Sequence, residues 1–195
     1  MLGNNQRMSF LSIKENKIAH RPGREQSTQF YNFVEGQLKE IRRRDAVING
    51  SASKQYEFII IDGEDTYDLS TSITASTGRH IINALATIQN FAGVRIRISP
   101  YQSKKNPEYT NVSVYANGEK LDWLIKPEDL PKVNLVKVGR NEVKDDEALV
   151  AKFEELVDLI NERLRATGTA RAAAPDNPAA QQYEEEPVPD DMPEL

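Results

Sequence analysis

The sequence predicts a mainly β domain in which one helix interrupts a run of antiparallel strands. Three observations carry that prediction. Apolar and polar residues alternate with period two over much of the first 125 positions. Short turn signals, Asp62-Gly63-Glu64-Asp65 and Asn117-Gly118, join successive alternating runs. The period changes to three and four residues at 77–91 and again at 146–165.

Residues 8–20 (MSFLSIKENKIAH) alternate around Glu15-Asn16 and read as an N-terminal arm or short hairpin. The run 29–34 (QFYNFV) breaks at Gly36 and resumes over 37–48, two strands around a bend, with Asn49-Gly50-Ser51 as the next turn. Residues 56–61 (YEFIII) are the most β-prone stretch, and the Asp62–Asp65 turn returns them into 66–73. Ile81, Ile82, Leu85, Ile88 and Phe91 then share one helical stripe, behind the capping candidates Thr74, Ser76 and Thr77, with Gly93 as the stop. Val94, Ile96 and Ile98 alternate with Arg95, Arg97 and Ser99 up to Pro100 and a basic loop at 102–107. A further strand at 109–116 turns at Asn117-Gly118 and pairs back through 119–125. Residues 126–144, with Pro127, Pro131 and Gly139, read as an extended connector.

The final helix, 146–165, carries Leu149, Val150, Phe153, Leu156, Val157, Ile160 and Leu164 on one stripe. Its acids Asp145, Asp146 and Glu147 suit the N-terminus, and Arg163, Arg165 and Gly168 suit the end. Such a stripe packs on its own domain or forms the seam of a homodimer. In order, these elements match an oligonucleotide/oligosaccharide-binding (OB)-like five-stranded antiparallel barrel with its helix between the third and fourth strands, plus an N-terminal arm and a C-terminal helix. The same order also permits an antiparallel sheet with helices on one face.

Charge divides the chain further. Its 25 basic and 30 acidic residues leave a net charge of −5, with a pI near 5.2. Residues 166–195 hold seven acids and only Arg171 as a base, and 145–165 hold seven acids and three bases. Residues 1–144 are therefore net positive, with 21 bases and 16 acids, so the acidic average conceals a mildly basic body. The expected division is a body at 1–144, an amphipathic helix at 145–166 packing on it, and a disordered acidic tail at 167–195. About 140 residues bury roughly two-thirds of their unfolded surface without staples. With no cysteine, disulfides, thiolate zinc sites and cysteine nucleophiles are excluded. The lack of a signal-like N-terminus or an apolar run long enough to span a bilayer leads to a soluble, cytoplasmic expectation, with no membrane partner.

The strands after the first helix concentrate the candidate chemistry. Val94, Ile96 and Ile98 face a core, leaving Arg95, Arg97, Ser99 and Tyr101 outside, while Val112 and Val114 leave Tyr109, Asn111, Ser113 and Tyr115 outside. Aromatic rings accept stacked bases at roughly 1–3 kcal/mol each, and nearby cations neutralise phosphates. Tyr31, Tyr101, Tyr109, Tyr115 and Trp123 are accordingly the candidate stacking residues, and Arg42, Arg44, Arg95, Arg97, Lys104 and Lys105 the candidate phosphate contacts. Strand parity puts Arg42 and Arg44 on the face of Leu38, and Trp123 stands between core-like Leu121 and Leu124. The bland reading of this face is an ordinary solvated sheet surface.

The C-terminal Asp190-Asp191-Met192-Pro193-Glu194-Leu195 follows a Pro/Ala-rich acidic segment. In this ending and in element order, the chain resembles the single-stranded DNA-binding proteins of bacteria and their phages. That family ends typically in Asp-Asp-Asp-Ile-Pro-Phe; here Glu194 intervenes and Leu195 replaces the terminal aromatic. The resemblance implies a non-enzymatic protein that covers exposed single-stranded DNA during replication, recombination or repair. It also implies a tail that recruits replication or repair proteins and competes with DNA for the body. The extra arm and long terminal helix favour a phage-encoded relative acting in the host cytoplasm.

Other chemistry is thinly supplied. His20 and His80 belong to no ligand-spaced cluster, and Asp62, Glu64, Asp65 and Asp68 lack a calcium-loop pattern, so no metal or cofactor is expected. Two alternatives remain: a protein–protein interaction module with a Tyr/Arg hot spot, and a metal-dependent nuclease using the 62–68 carboxylates.

Overall fold

The computed structural model describes residues 8–23, 26–48, 51–138 and 141–168. The N-terminal half contains β1 (Met8–Lys14), β2 (Lys17–His20), β3 (Gln29–Tyr31), β4 (Val34–Ile48), β5 (Ser51–Asp62), β6 (Asp65–Ser72) and α1 (Ser76–Leu85). It is followed by β7 (Ile96–Gln102), β8 (Thr110–Ala116), β9 (Glu119–Lys120), β10 (Asn134–Val138), β11 (Asn141–Asp145) and α2 (Glu147–Ala166). The acidic tail, including Asp190 to Leu195, lies outside the described residues, as does the Asn49-Gly50 turn.

Nine strands form one open sheet in the order β3-β2-β1-β6-β5-β4-β7-β8-β9, and β10 and β11 form a separate hairpin. Among the described residues, all pairings are antiparallel except the one between β1 and β6. The mainly β character and the helix between strands are as expected, but the sheet is not a closed five-stranded barrel. The N-terminal arm explains why: β1 pairs with the free edge of β6, so the sheet continues outward to β3. The sheet still coils. Asn16, in the β1–β2 turn, accepts a hydrogen bond from the Thr110 hydroxyl of β8 at 2.8 Å. Ser99 of β7 donates to the Asn32 carbonyl at 3.2 Å.

Rather than forming two strands around a bend at Gly36, the chain has the short β3 and then β4 running through the glycine. A Cβ there would stand 2.5 Å from the Ile61 carbonyl oxygen, so this close approach of β4 to β5 requires glycine. Leu38 faces Ile60 and Glu40 faces Ile59, which leaves Lys39 as the extra residue of a β-bulge. The bulge reverses parity. Leu38 and Ile41 are both buried, while Arg42 and Arg44 turn to the opposite face from Leu38, correcting the simple alternation.

Both helices pack into one continuous core with Leu38, Ile41, Phe58, Leu69, Ile96 and Ile98 of the sheet. α1 stops at Leu85, short of 91, although Ile88 and Phe91 remain buried. The chain tightens there into i→i−3 bonds from Thr87 to Ala84 and from Ile88 to Leu85, both 3.1 Å. Arg163 of α2 donates to the Ala86 and Ile88 carbonyls at 2.7 and 2.9 Å, taking up acceptors the helix leaves free. The N-cap is Ala75 with no side-chain bond, so Thr74, Ser76 and Thr77 do not cap as expected.

Of the α2 stripe, Leu149, Phe153, Leu156, Val157, Ile160 and Leu164 are buried within the chain, where the helix packs on α1 and β4, and Val150 is partly buried. Of the expected return strand at 119–125, only Glu119 and Lys120 pair with β8. Asn83 binds both the N–H and the C=O of Ile125, at 2.9 and 2.8 Å, and draws the chain off the sheet onto α1. The predicted connector at 126–144 contains a short 3-10 turn, Pro127–Asp129, and the β10–β11 hairpin.

Candidate nucleic-acid interface

The β4–β7–β8–β9 register sets Glu35, Arg97, Tyr115 and Lys120 in one row across the sheet. Ser99 stands opposite Ser113 in the next row on this face, and Tyr101 opposite Asn111 beyond it. Their shared face follows from the core choosing Ile96, Ile98, Pro100, Val112 and Val114 for the other side. The loop between β7 and β8 folds on itself, Ser103 N–H donating to the Tyr109 carbonyl at 2.9 Å and Tyr109 N–H to the Asn106 carbonyl at 3.0 Å.

This arrangement leaves a groove of about 700 Å³ lined by Ser99, Tyr101, Lys104, Lys105, Tyr115 and Lys120, among others. Among the described residues, none of the three lysines has a carboxylate within ion-pair distance. Tyr101, in β7, is 42% exposed, and Tyr109, in the β7–β8 loop, is 61% exposed. A second cavity of about 360 Å³ shares Tyr101, Asn111 and Lys120 and extends to His80 and Trp123. The His80 and Trp123 rings lie 4.7 Å apart at a 35° tilt. Burial lowers the His80 pKa below its ordinary value, which favours a neutral imidazole against the indole.

Beside the groove, Arg95 and Arg97 are already engaged. Arg97 Nε donates to Glu35 Oε2 at 2.5 Å, and its guanidinium lies over the Phe33 ring, 4.7 Å from the centroid. Arg95 Nε approaches Glu35 Oε1 at 3.4 Å, while its Nη2 donates to Asp62 at 3.0 Å. The hydrogen bond from Arg97 is the main reason the Glu35 carboxyl titrates below its ordinary range.

The remaining candidates are dispersed. Arg42 follows Gly36 by six residues, roughly 20 Å along the strand, and pairs with Glu40; Arg44 pairs with Glu57 at 3.0 Å. Tyr31 is on the edge strand β3 and lines a separate cavity of about 370 Å³ with Phe33, Glu35, Asp62, Asp65 and Tyr67. The 62–68 carboxylates do not converge. Pairing parity puts Asp62 and Asp65 on one face and buried Asp68 on the other. Burial, reinforced by Glu57, raises the Asp68 pKa. Among the described residues no three His, Cys, Asp or Glu side chains form a metal-sized cluster, and no helix is long and apolar enough to cross a membrane.

Three residues that matter here escaped sequence reading: Lys120, Glu35 and Phe33. A signal for Lys120 was present, because Asn117-Gly118 forms a two-residue turn with both φ angles positive, which sets Lys120 opposite Tyr115. Glu35 and Phe33 meet Arg97 through a pairing between segments some 60 residues apart, and nothing local announces it. No known protein family, curated protein or solved structure matches this chain.

Proposed function

We propose that this protein binds single-stranded DNA, without strong sequence preference and without catalysis, along the β7–β8 groove. The observation that carries the reading is the groove itself: Lys104, Lys105 and Lys120 lack acidic partners among the described residues and stand beside Tyr101 and Tyr115, with exposed Tyr109 in the β7–β8 loop. A cationic channel with accessible aromatic faces suits a chain of phosphates and unstacked bases. The adjacency β6-β5-β4-β7-β8, with α1 after the third of these strands in sequence, supports an OB-like body whose fifth pairing is replaced by β1. In this reading the acidic tail ending at Leu195 recruits replication or repair proteins and competes with DNA, as suits a phage protein in its host's cytoplasm.

The test is an anisotropy titration of labelled oligo-dT across salt concentrations. Each of Lys104→Ala, Lys105→Ala and Lys120→Ala is expected to reduce the slope of log affinity against log salt by about one. Tyr101→Ala and Tyr109→Ala are each expected to lose about 1–3 kcal/mol, roughly 5- to 150-fold in affinity. Absence of salt-dependent binding, or a triple-lysine variant that binds like the wild type, sinks the proposal. A second reading, a protein-interaction surface, draws on the exposed Phe30, Tyr31 and Phe33 beside Arg97.

A further inference from the structure

Arg95 and Arg97 meet one planar oxyanion, the Glu35 carboxylate, at opposite oxygens: Oε1 from Arg95 at 3.4 Å and Oε2 from Arg97 at 2.5 Å. The Arg97 guanidinium also lies over the Phe33 ring, 4.7 Å from its centroid, a cation–π contact that helps to position it. Two guanidinium groups sharing two oxygens of one anion is an arrangement equally suited to a phosphodiester, whose paired non-bridging oxygens present the same planar edge. The carboxylate arrives by register, since Glu35 pairs directly with Arg97 where β4 begins.

The row from Glu35 through Arg97 and Tyr115 to Lys120 crosses three strand spacings, about 14 Å, and ends in the lysine groove. A strand that lies in the groove and continues across the sheet meets the arginine pair next. There it encounters a negative charge already seated between the two guanidinium groups.

We propose that Arg95 and Arg97, backed by Phe33, form an oxyanion site for one phosphodiester of the bound strand, and that Glu35 fills this site until the strand displaces it. The inference rests on the strand-binding reading and adds to it an internal competitor. Glu35 keeps the arginines ordered and compensated in the free protein, and it lowers affinity by the work of its own displacement. Because Asp62 continues to hold Arg95 at 3.0 Å, removing the charge of Glu35 releases chiefly Arg97.

Glu35→Gln preserves shape and an acceptor for Arg97 while deleting the charge. In the full-length protein it is expected to tighten oligo-dT binding about tenfold at low salt and to steepen the salt slope by about one. Glu35→Gln combined with Arg97→Ala is expected to cancel both gains. A variant-independent readout is the Arg97 Nε–H resonance of the wild type, expected to shift when oligo-dT is added. Wild-type binding with unchanged or weaker binding by Glu35→Gln overturns this inference alone, as does an Arg97 resonance that stays in place. If neither protein binds, the strand-binding reading fails and takes this site with it.

Discussion

Tyr56 is fully buried, and its hydroxyl has no hydrogen-bond partner among the described residues. Burial pushes its pKa from 10 to about 12. Between those values the folded protein keeps a proton that the unfolded chain has lost, so stability falls as pH rises through that window, by about 1.4 kcal/mol per pH unit. Tyr56→Phe removes both the unpartnered hydroxyl and this slope. It is expected to gain about 1 kcal/mol at pH 7 and a larger margin at pH 11, read from urea denaturation at the two pH values. Alternation correctly placed Arg97 and Tyr115 on one outer face, because strand parity is local. It failed for Arg42 and Arg44, because the Lys39 bulge inserts one residue and reverses every face beyond it.

At the scale of elements, α2 carries a residue that completes the edge of β4. β4 pairs with β7 only over residues 34–36, so the backbone of Ile41 lacks a strand partner on that edge. Asn161 supplies one: its Oδ1 accepts from Ile41 N–H at 2.9 Å, and its Nδ2 donates to Ile41 C=O at 2.8 Å. Asn161→Ala leaves both peptide groups unpaired beneath the helix and is expected to cost about 2 kcal/mol. Asn161→Asp keeps the acceptor and loses the donor, so it should fall between wild type and alanine in urea midpoint. Turns set by two adjacent residues, such as Asn117-Gly118, were readable in advance. The end of α1 was not, because the acceptors exposed there are satisfied by Arg163, more than 70 residues later. The same holds for the departure of the chain from β9, which Asn83 directs.

For the whole molecule, the governing feature is separation of charge: 21 bases and 16 acids in residues 1–144 against seven acids and one base in residues 166–195. If the acidic segment competes for the groove, a chain ending at Gly168 binds oligo-dT several-fold more tightly than the full chain at low salt. The difference should vanish near 1 M salt, where screening acts within about 3 Å. Equal affinities at low salt count against competition. Sequence alone determined the mainly β character, the presence of two helices, the shared outer face of Arg97 and Tyr115 and the division of charge, because periodicity, turn chemistry and charge act over a few residues. Only tertiary structure decided that β1 borders β6, that the sheet stays open, and that Glu35 rather than solvent meets Arg95 and Arg97. Those outcomes depend on pairings between distant segments, chosen by the burial and register of the entire sheet, which no local pattern encodes.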